Sequence, residues 1–352
     1  MTTEFITTTE LIAAARKNLS HEAWGRLDGG AETETTVARN RLGFDTLAFR
    51  PRVLVDVTTI DTSTTFLGER LRIPVMTAPI GSSQLYAQDG INDIARAAEA
   101  FGIVPILSSM TKGTTWEAVA GVTGGPKILQ LAFSGAFDWA REAIVRARTV
   151  GYTALCFAFD TPRFGRMERE MMASRERPRT TPPLRTGMSW EILRRLIDGA
   201  GIPLIAKGIT HPEDARRLTE YGFEAIYVSN HGGESLDHAR GAIDVLPDIV
   251  SAVDGRAQVI LDGGVMRGTD VVKALALGAT AVAIGRLQCF GLGAGGQAGL
   301  IRLLELLEEE IFYAMTFLGT PAIADIKRDH VQAGAPPVNT PSLFSAFPLL
   351  GG

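Results

Sequence analysis

Cysteine is nearly absent from this chain: 352 residues hold two, Cys156 and Cys289, far apart and each in apolar surroundings. That scarcity excludes a disulfide framework and a cysteine-based zinc site, and reads as two buried thiols of a reducing compartment. Long apolar runs are missing as well. None approaches the roughly 20 residues of a membrane span; the longest, Ala274 to Gly285, is interrupted by Gly278 and Thr280 and reads as a helix end followed by a strand. An excess of one charge is lacking: 35 Lys and Arg stand against 39 Asp and Glu, a net charge of −4, which gives no electrostatic footprint for a nucleic acid. With 45% apolar residues the chain is too hydrophobic to be dominantly disordered. The first twenty residues carry Glu4 and Glu10 and no basic-then-apolar signal pattern, and Thr8 or Thr9 ahead of Glu10-Leu11-Ile12 predicts a helix start. The expectation is a cytoplasmic globular protein with neither a nucleic-acid nor a membrane partner.

Glycine, by contrast, is plentiful at 38 residues, and it is placed rather than spread. From about residue 74, short apolar runs alternate with stretches of helical periodicity. The runs are Val75–Pro79, Val104–Ser108, Lys127–Phe133, Ala154–Asp160, Pro203–Gly208, Ala225–Ser229, Gln258–Asp262 and Ala281–Gly285. Near-continuous apolar strands are what a parallel sheet buried on both faces requires, and strand–helix alternation implies right-handed βαβ units. Eight repeats in this span predict an α/β fold, a (β/α)8 TIM barrel. A doubly wound open sheet is the runner-up, weakened because no G-x-G-x-x-G follows the first strand. The Arg-rich, Pro-broken stretch from Arg163 to Ser189 is long for a loop and reads as a lid or a disordered insertion; the tail from Gly334 reads as an extended segment wrapping the barrel or a neighbour.

Barrel enzymes place their chemistry at the C-terminal ends of the strands. The fifth run ends on Lys207, a lysine that loses hydration there and needs an anionic partner, either as a cation held against a ligand or as a lysine snorkelling from the barrel mouth. His231, in Ser-Asn-His-Gly-Gly at the next strand end, is a candidate base, although a lone histidine is more often structural. Asp160, closing the fourth run, could orient its ring or serve as a cap. The Asp262-Gly263-Gly264 and Gly285-Arg286 ends, with Arg267 nearby, suit a phosphate held by backbone N–H groups and a cation; turn chemistry alone is the plainer account.

Ser229-Asn230-His231-Gly232-Gly233, followed by Leu236-Asp237, resembles the active-site signature of the FMN-dependent 2-hydroxy-acid oxidases and dehydrogenases. Phe49–Val57, Ala78-Pro79, Leu107–Ser109, Asp160–Arg163, Leu261–Gly264 and Arg267–Ala279 are similar to further segments of that family, in family order, over roughly residues 10 to 330. The resemblance implies one FMN hydroxy-acid dehydrogenase-type domain over 1–352: a helical extension (1–70), the barrel with its long loop after strand four (71–316) and a C-terminal segment (317–352). It implies FMN at the barrel mouth, with Ala78, Pro79, Ile80 and Ser108 against the ring system and Gln130 at its pyrimidine edge. Lys207 would stand beside N1, and Asp262, Gly263, Gly264, Arg267, Gly285 and Arg286 toward the ribityl-phosphate end. His231 would be the base, with Asp160 holding its ring, while flavin N5 accepts a hydride equivalent. Oxygen or another acceptor would reoxidise the flavin, and a homo-oligomer, tetramer or octamer, is implied.

The recognition shell departs from the family pattern. Its two carboxylate-binding arginines correspond to Glu234 and Met167, and its two tyrosines to Ala132 and Arg26; a phosphate-side arginine corresponds to Met266. A carboxylate and a thioether cannot supply bidentate anion recognition, so Arg26, Ala132, Met167, Glu234 and His231 are expected to bound a pocket for a larger alcohol or amine, in place of a simple 2-hydroxy acid. The alternatives are an ordinary (S)-2-hydroxy-acid oxidase whose carboxylate site is displaced to Arg26, Arg166 or Arg169, and a flavin-binding protein without redox turnover. An isomerase-type flavin barrel is disfavoured by the histidine motif.

Overall fold

Each of the eight apolar runs contains a parallel strand: β1 (Val75–Thr77), β2 (Ile106–Ser108), β3 (Ile128–Leu131), β4 (Ala154–Ala158), β5 (Leu204–Ile209), β6 (Ala225–Val228), β7 (Gln258–Leu261) and β8 (Ala281–Ile284). The computed structural model describes residues 5–132, 137–163, 165–175, 188–335 and 340–351. β2 to β8 pair in chain order, β1 pairs with β8, and a bridge between Thr77 and Pro105 joins β1 to β2 and closes the ring. Pro105 has no N–H to extend that ladder, which limits the closure to this bridge. The strand residues are almost all buried, as a barrel covered by helices outside and filled by side chains inside demands. The fold is the expected (β/α)8 barrel with an N-terminal helical extension.

The stretches of helical periodicity between the runs form helices, among them Ile91–Phe101, Trp190–Ile197, Pro212–Glu220, Ala242–Val253 and Gly268–Ala276. The short helix Trp116–Ala120 between β2 and β3 was not anticipated. At the N-terminus the helix Thr8–Asn18 starts behind Thr7, which is the cap because only Thr7 stands three residues before Glu10. Its Oγ1 accepts the Glu10 N–H at 3.2 Å while the Glu10 carboxylate accepts the Thr7 N–H at 3.3 Å. The last barrel helix, Arg286–Leu318, is broken at Gly295 and Gly296, where φ reaches +58°. Asn18 Nδ2 donates to the freed carbonyls of Gly293 and Ala294 at 3.1 and 3.3 Å, which docks the first helix on the break.

The helix Thr35–Asp45 has no cap of its own; Glu34 ahead of it sits at φ +61°. Asp237, from the loop beyond β6, supplies the cap in trans. It accepts from the Thr33 N–H (2.9 Å), the Thr33 hydroxyl (2.6 Å) and the Thr36 N–H (2.8 Å). The extension is thereby fastened to the segment that carries His231. The C-terminal chain also folds back on the N-terminal extension of the same chain. Val331–Ala333 pairs antiparallel with Leu47–Phe49, and Phe344 stacks on Trp24 with ring centroids 5.8 Å apart. The long loop after β4 contains a helix, Glu168–Ser174, packed on the helix His21–Asp28, so the ordered-lid reading fits residues 165–175; residues 176–187 lie outside the described residues.

Candidate active site

A cleft with about 890 Å³ of empty space, part of it open solvent, lies at the C-terminal ends of the strands. Ala78, Pro79 and Ile80 form one wall; Asp262, Gly263, Gly264, Gly285 and Arg286 form another; Lys207 and His231 face the space between, with Arg26 and Glu234 beside them. Most of the residues singled out in the sequence are therefore brought together.

At its centre the Nδ1 of His231 lies 3.2 Å from Oδ2 of Asp160. An ionised carboxylate only accepts, so Nδ1 carries the proton and Nε2 is left as the free base. Ser229 fixes the same group from the backbone side: its Oγ accepts the His231 N–H at 3.1 Å and a Lys207 Nζ hydrogen at 2.9 Å. His231 is held at φ +54°, a conformation that side chains rarely adopt and that these two contacts maintain. Lys207 is fully buried, with Asp160 at 3.8 Å, Asp262 at 3.7 Å and the Tyr227 ring centroid at 5.2 Å. Burial works against its charge, but the carboxylates of Asp160 and Asp262 outweigh it and hold the ammonium above its ordinary range. Tyr227 donates its hydroxyl to Asp262 Oδ2 at 2.8 Å.

The cleft fits FMN. Asp262 lines it, and its Oδ1 is buried with no hydrogen bond among the described residues, an acceptor ready for a ligand hydroxyl. A Cβ built on Gly285 would meet nothing within 4 Å, so the backbone there is open to a phosphate. Gly263 and Gly264 serve packing as much as binding: at φ +94° and +89°, a Cβ on Gly264 would stand 2.8 Å from the Asn40 carbonyl.

Several expected residues stand elsewhere. Arg267 turns away from the cleft to Glu310 at 3.2 Å and lies over the Phe347 ring, because Glu310 is the carboxylate within its reach. Ser108 and Gln130 are buried and bonded to each other at 3.1 Å outside the cavity wall. Ala132 and Met167 are not in that wall either. Met167 is buried, bridged to Ala31 on the extension, so it packs the segment after β4 against the extension. Of the arginines considered as displaced anion ligands, Arg166 pairs with Glu168 and Arg169 with Glu34 and Asp28, all outside the cavity. Arg26 lines it, one Nη bonded to Glu170 at 2.6 Å.

Sequence reasoning missed Tyr86, Cys289 and Leu343, all in the wall. Tyr86 follows the 3-10 turn Ser83–Leu85 after β1, and burial pushes its phenol well above the usual range, so it remains a hydrogen-bond donor. Asn40 and Arg41 were missed too. Asn40 exchanges amide hydrogen bonds with Asn230, at 2.8 and 3.1 Å, beside His231. Arg41 ties Asp270, at 2.7 Å, to the Gly264 carbonyl. Polar residues buried in a helix of weak amphipathicity were the available signal.

Comparison with known proteins agrees with this geometry. The family model of FMN-dependent dehydrogenases matches residues 15–186 and 173–333. The chain is 37% identical over 346 residues to an L-lactate oxidase of Nostoc sp., covering 89% of this chain and 94% of the relative. It is 34% identical over 360 residues to glycolate oxidase of Spinacia oleracea, covering 94% and 96%. A solved mandelate oxidase superposes with a TM-score of 0.87 at 33% identity over 94% of this chain and 99% of that one. A mandelate oxidase variant with 2-hydroxy-phenylacetamide gives 0.87 at 34% over the same shares, and another mandelate oxidase structure holds an FMN adduct.

Proposed function

The chain belongs to the FMN-dependent dehydrogenase family and is an FMN-dependent oxidoreductase acting on CH–OH groups; on that premise we propose that its substrate is a 2-hydroxy acid, bound through a displaced carboxylate site at Arg26 and Tyr86. The observation that carries the reading is the Asp160–His231 contact at the cavity, which leaves one imidazole nitrogen free as a base. The named activities of the relatives support a hydroxy acid over the larger alcohol or amine expected from the missing arginines. That membership also counts against a flavin-binding protein without turnover.

Bound FMN supplies the acceptor for the hydride equivalent. His231 takes the hydroxyl proton of the substrate at Nε2, and Asp160 stabilises the imidazolium that forms. Lys207 places a fixed positive charge on the same side of the cavity, where negative charge develops. Arg26 has donors left beyond its bond to Glu170, and the Tyr86 hydroxyl makes no hydrogen bond among the described residues; together they offer a carboxylate a cation and a neutral donor. Oxygen is the electron acceptor in this reading, in keeping with relatives named oxidases.

The test is anaerobic reduction of the bound flavin by glycolate, (S)-lactate and (S)-mandelate, set against 2-hydroxy-phenylacetamide. At least one acid should bleach the flavin, with Arg26→Met raising the concentration needed by roughly tenfold or more. Glu234 favours a second reading, since a carboxylate stands where the family pattern has an arginine. Bleaching by the amide with no response to any of the acids would establish that reading and overturn the first.

A further inference from the structure

Arg286 was expected at the phosphate, yet its guanidinium points elsewhere. Nη1 donates to the Gly232 carbonyl at 2.8 Å, Nη2 donates to the Gly29 carbonyl at 2.6 Å, and Nη2 lies 3.3 Å from Oε1 of Glu234. The side chain is 9% exposed. Gly29 closes the helix His21–Asp28 of the extension, whereas Gly232 directly follows His231.

We propose that Arg286 is a positioning residue that, with Glu234 as its counter-ion, clamps the loop carrying His231 to the end of the N-terminal extension and so sets where the base stands. The inference rests on the reading of His231 as the base. Only a planar fork can reach two carbonyls and a carboxylate at once; an ammonium on a flexible stem cannot reproduce that geometry. The loop itself is built around the fork. Gly232 sits at φ +63°, and a Cβ there would fall 2.8 Å from Arg286 Nη1. The Ala31 N–H donates to the Gly233 carbonyl at 2.8 Å, so the guanidinium completes a seam already begun by backbone. The Glu234 N–H donates to the His231 carbonyl at 3.1 Å, which ties the counter-ion to the same turn.

Two consequences follow from the same geometry. The Glu234 carboxylate is then engaged by Arg286, which withdraws the support it lends to the second reading of the substrate. The phosphate end of the cleft is left with backbone N–H groups, because Arg286 is committed to carbonyls, Arg267 to Glu310, and residue 266 is a methionine.

The deciding variants are Arg286→Lys and Glu234→Gln, each compared with the wild-type chain. In the apo protein, Arg286→Lys should speed amide hydrogen exchange over residues 229–235 by roughly tenfold. In the FMN-loaded enzyme it should lower the limiting rate of flavin reduction by roughly ten- to a hundredfold, with the apparent substrate affinity held within about threefold. FMN affinity should also stay within about threefold, since the phosphate is met by backbone. Glu234→Gln should move exchange and limiting rate in the same direction by a smaller factor. The clamp is overturned if Arg286→Lys weakens FMN roughly tenfold while leaving exchange unchanged, the signature of a phosphate ligand. It is equally overturned if Glu234→Gln alters the preference between (S)-mandelate and 2-hydroxy-phenylacetamide without altering exchange. Should no hydroxy acid reduce the wild-type flavin, the substrate reading fails, while the exchange measurement still decides on the clamp.

Discussion

Asn40 and Asn230 each give an amide hydrogen to the other's carbonyl oxygen, and both are buried. One belongs to the extension and the other immediately precedes His231, the proposed base, so the pair couples folding of the extension to the site. Asn40 Oδ1 also accepts the Ala242 N–H at 2.9 Å, and Asn230 Nδ2 donates to the Arg240 carbonyl at 3.0 Å. Replacing Asn40 by Ala leaves buried polar partners unpaired, which costs about 1–3 kcal/mol. The urea midpoint should fall accordingly; an unchanged midpoint would show that water repairs the gap.

His231→Ala should retain FMN, visible in its absorbance, and slow substrate-driven flavin reduction by about 10²–10⁴. Asp160→Asn should slow it as well, because an amide facing Nδ1 no longer selects the tautomer with Nε2 free. Anaerobic stopped-flow reduction measures both. A histidine variant reduced as fast as the wild type would remove His231 from the mechanism.

Asp237 makes a pH prediction whose sign is fixed by its donors. Burial alone would raise its pKa, but the Thr33 hydroxyl and the backbone N–H groups of Thr36 and its neighbours hold the carboxyl well below the ordinary range. A depressed folded pKa gives stability that is present above the unfolded value of about 3.9 and is lost as pH falls through the folded value. Asp237→Asn should therefore be less stable near neutrality and show a flatter acid limb than the wild type. Parallel acid limbs in thermal unfolding would contradict the assignment.

Gly165 predicts an effect from simple contact. A Cβ there would collide with the Glu234 carbonyl oxygen, a clash with backbone that no rotamer relieves. Gly165→Ala should push the segment 165–175 off the turn that follows His231, raising the substrate concentration for half-maximal flavin reduction while FMN stays bound. A stopped-flow titration matching the wild type would mean the segment rides freely over the turn.

The barrel was legible because its strands are short, apolar and regularly spaced, and because polar residues interrupt those runs mostly at their ends. Asp160, Lys207 and His231 could be picked out for that reason, and the structure sets them around Ser229. What escaped depends on approach in space. Arg286 follows a glycine-rich strand end as a phosphate ligand would, but two carbonyls from distant segments compete for it. Met167 aligned with a substrate-facing arginine, yet an apolar side chain at that point of the lid is buried against the extension. Tyr86 and Leu343 enter the wall from a turn and from the tail, where no periodicity marks them.

The pairing of charges around the cavity also bears on how quickly a substrate arrives. Among the described residues, Arg26, Lys207 and Arg286 are each matched by Glu170, Asp160 and Asp262, or Glu234, so these three cations leave no unpaired positive charge at the cavity. These three cations therefore add little to long-range steering, which accelerates capture when a cleft carries net charge opposite to its ligand. From them an anion gains its discrimination through the short-range contacts it makes after entry.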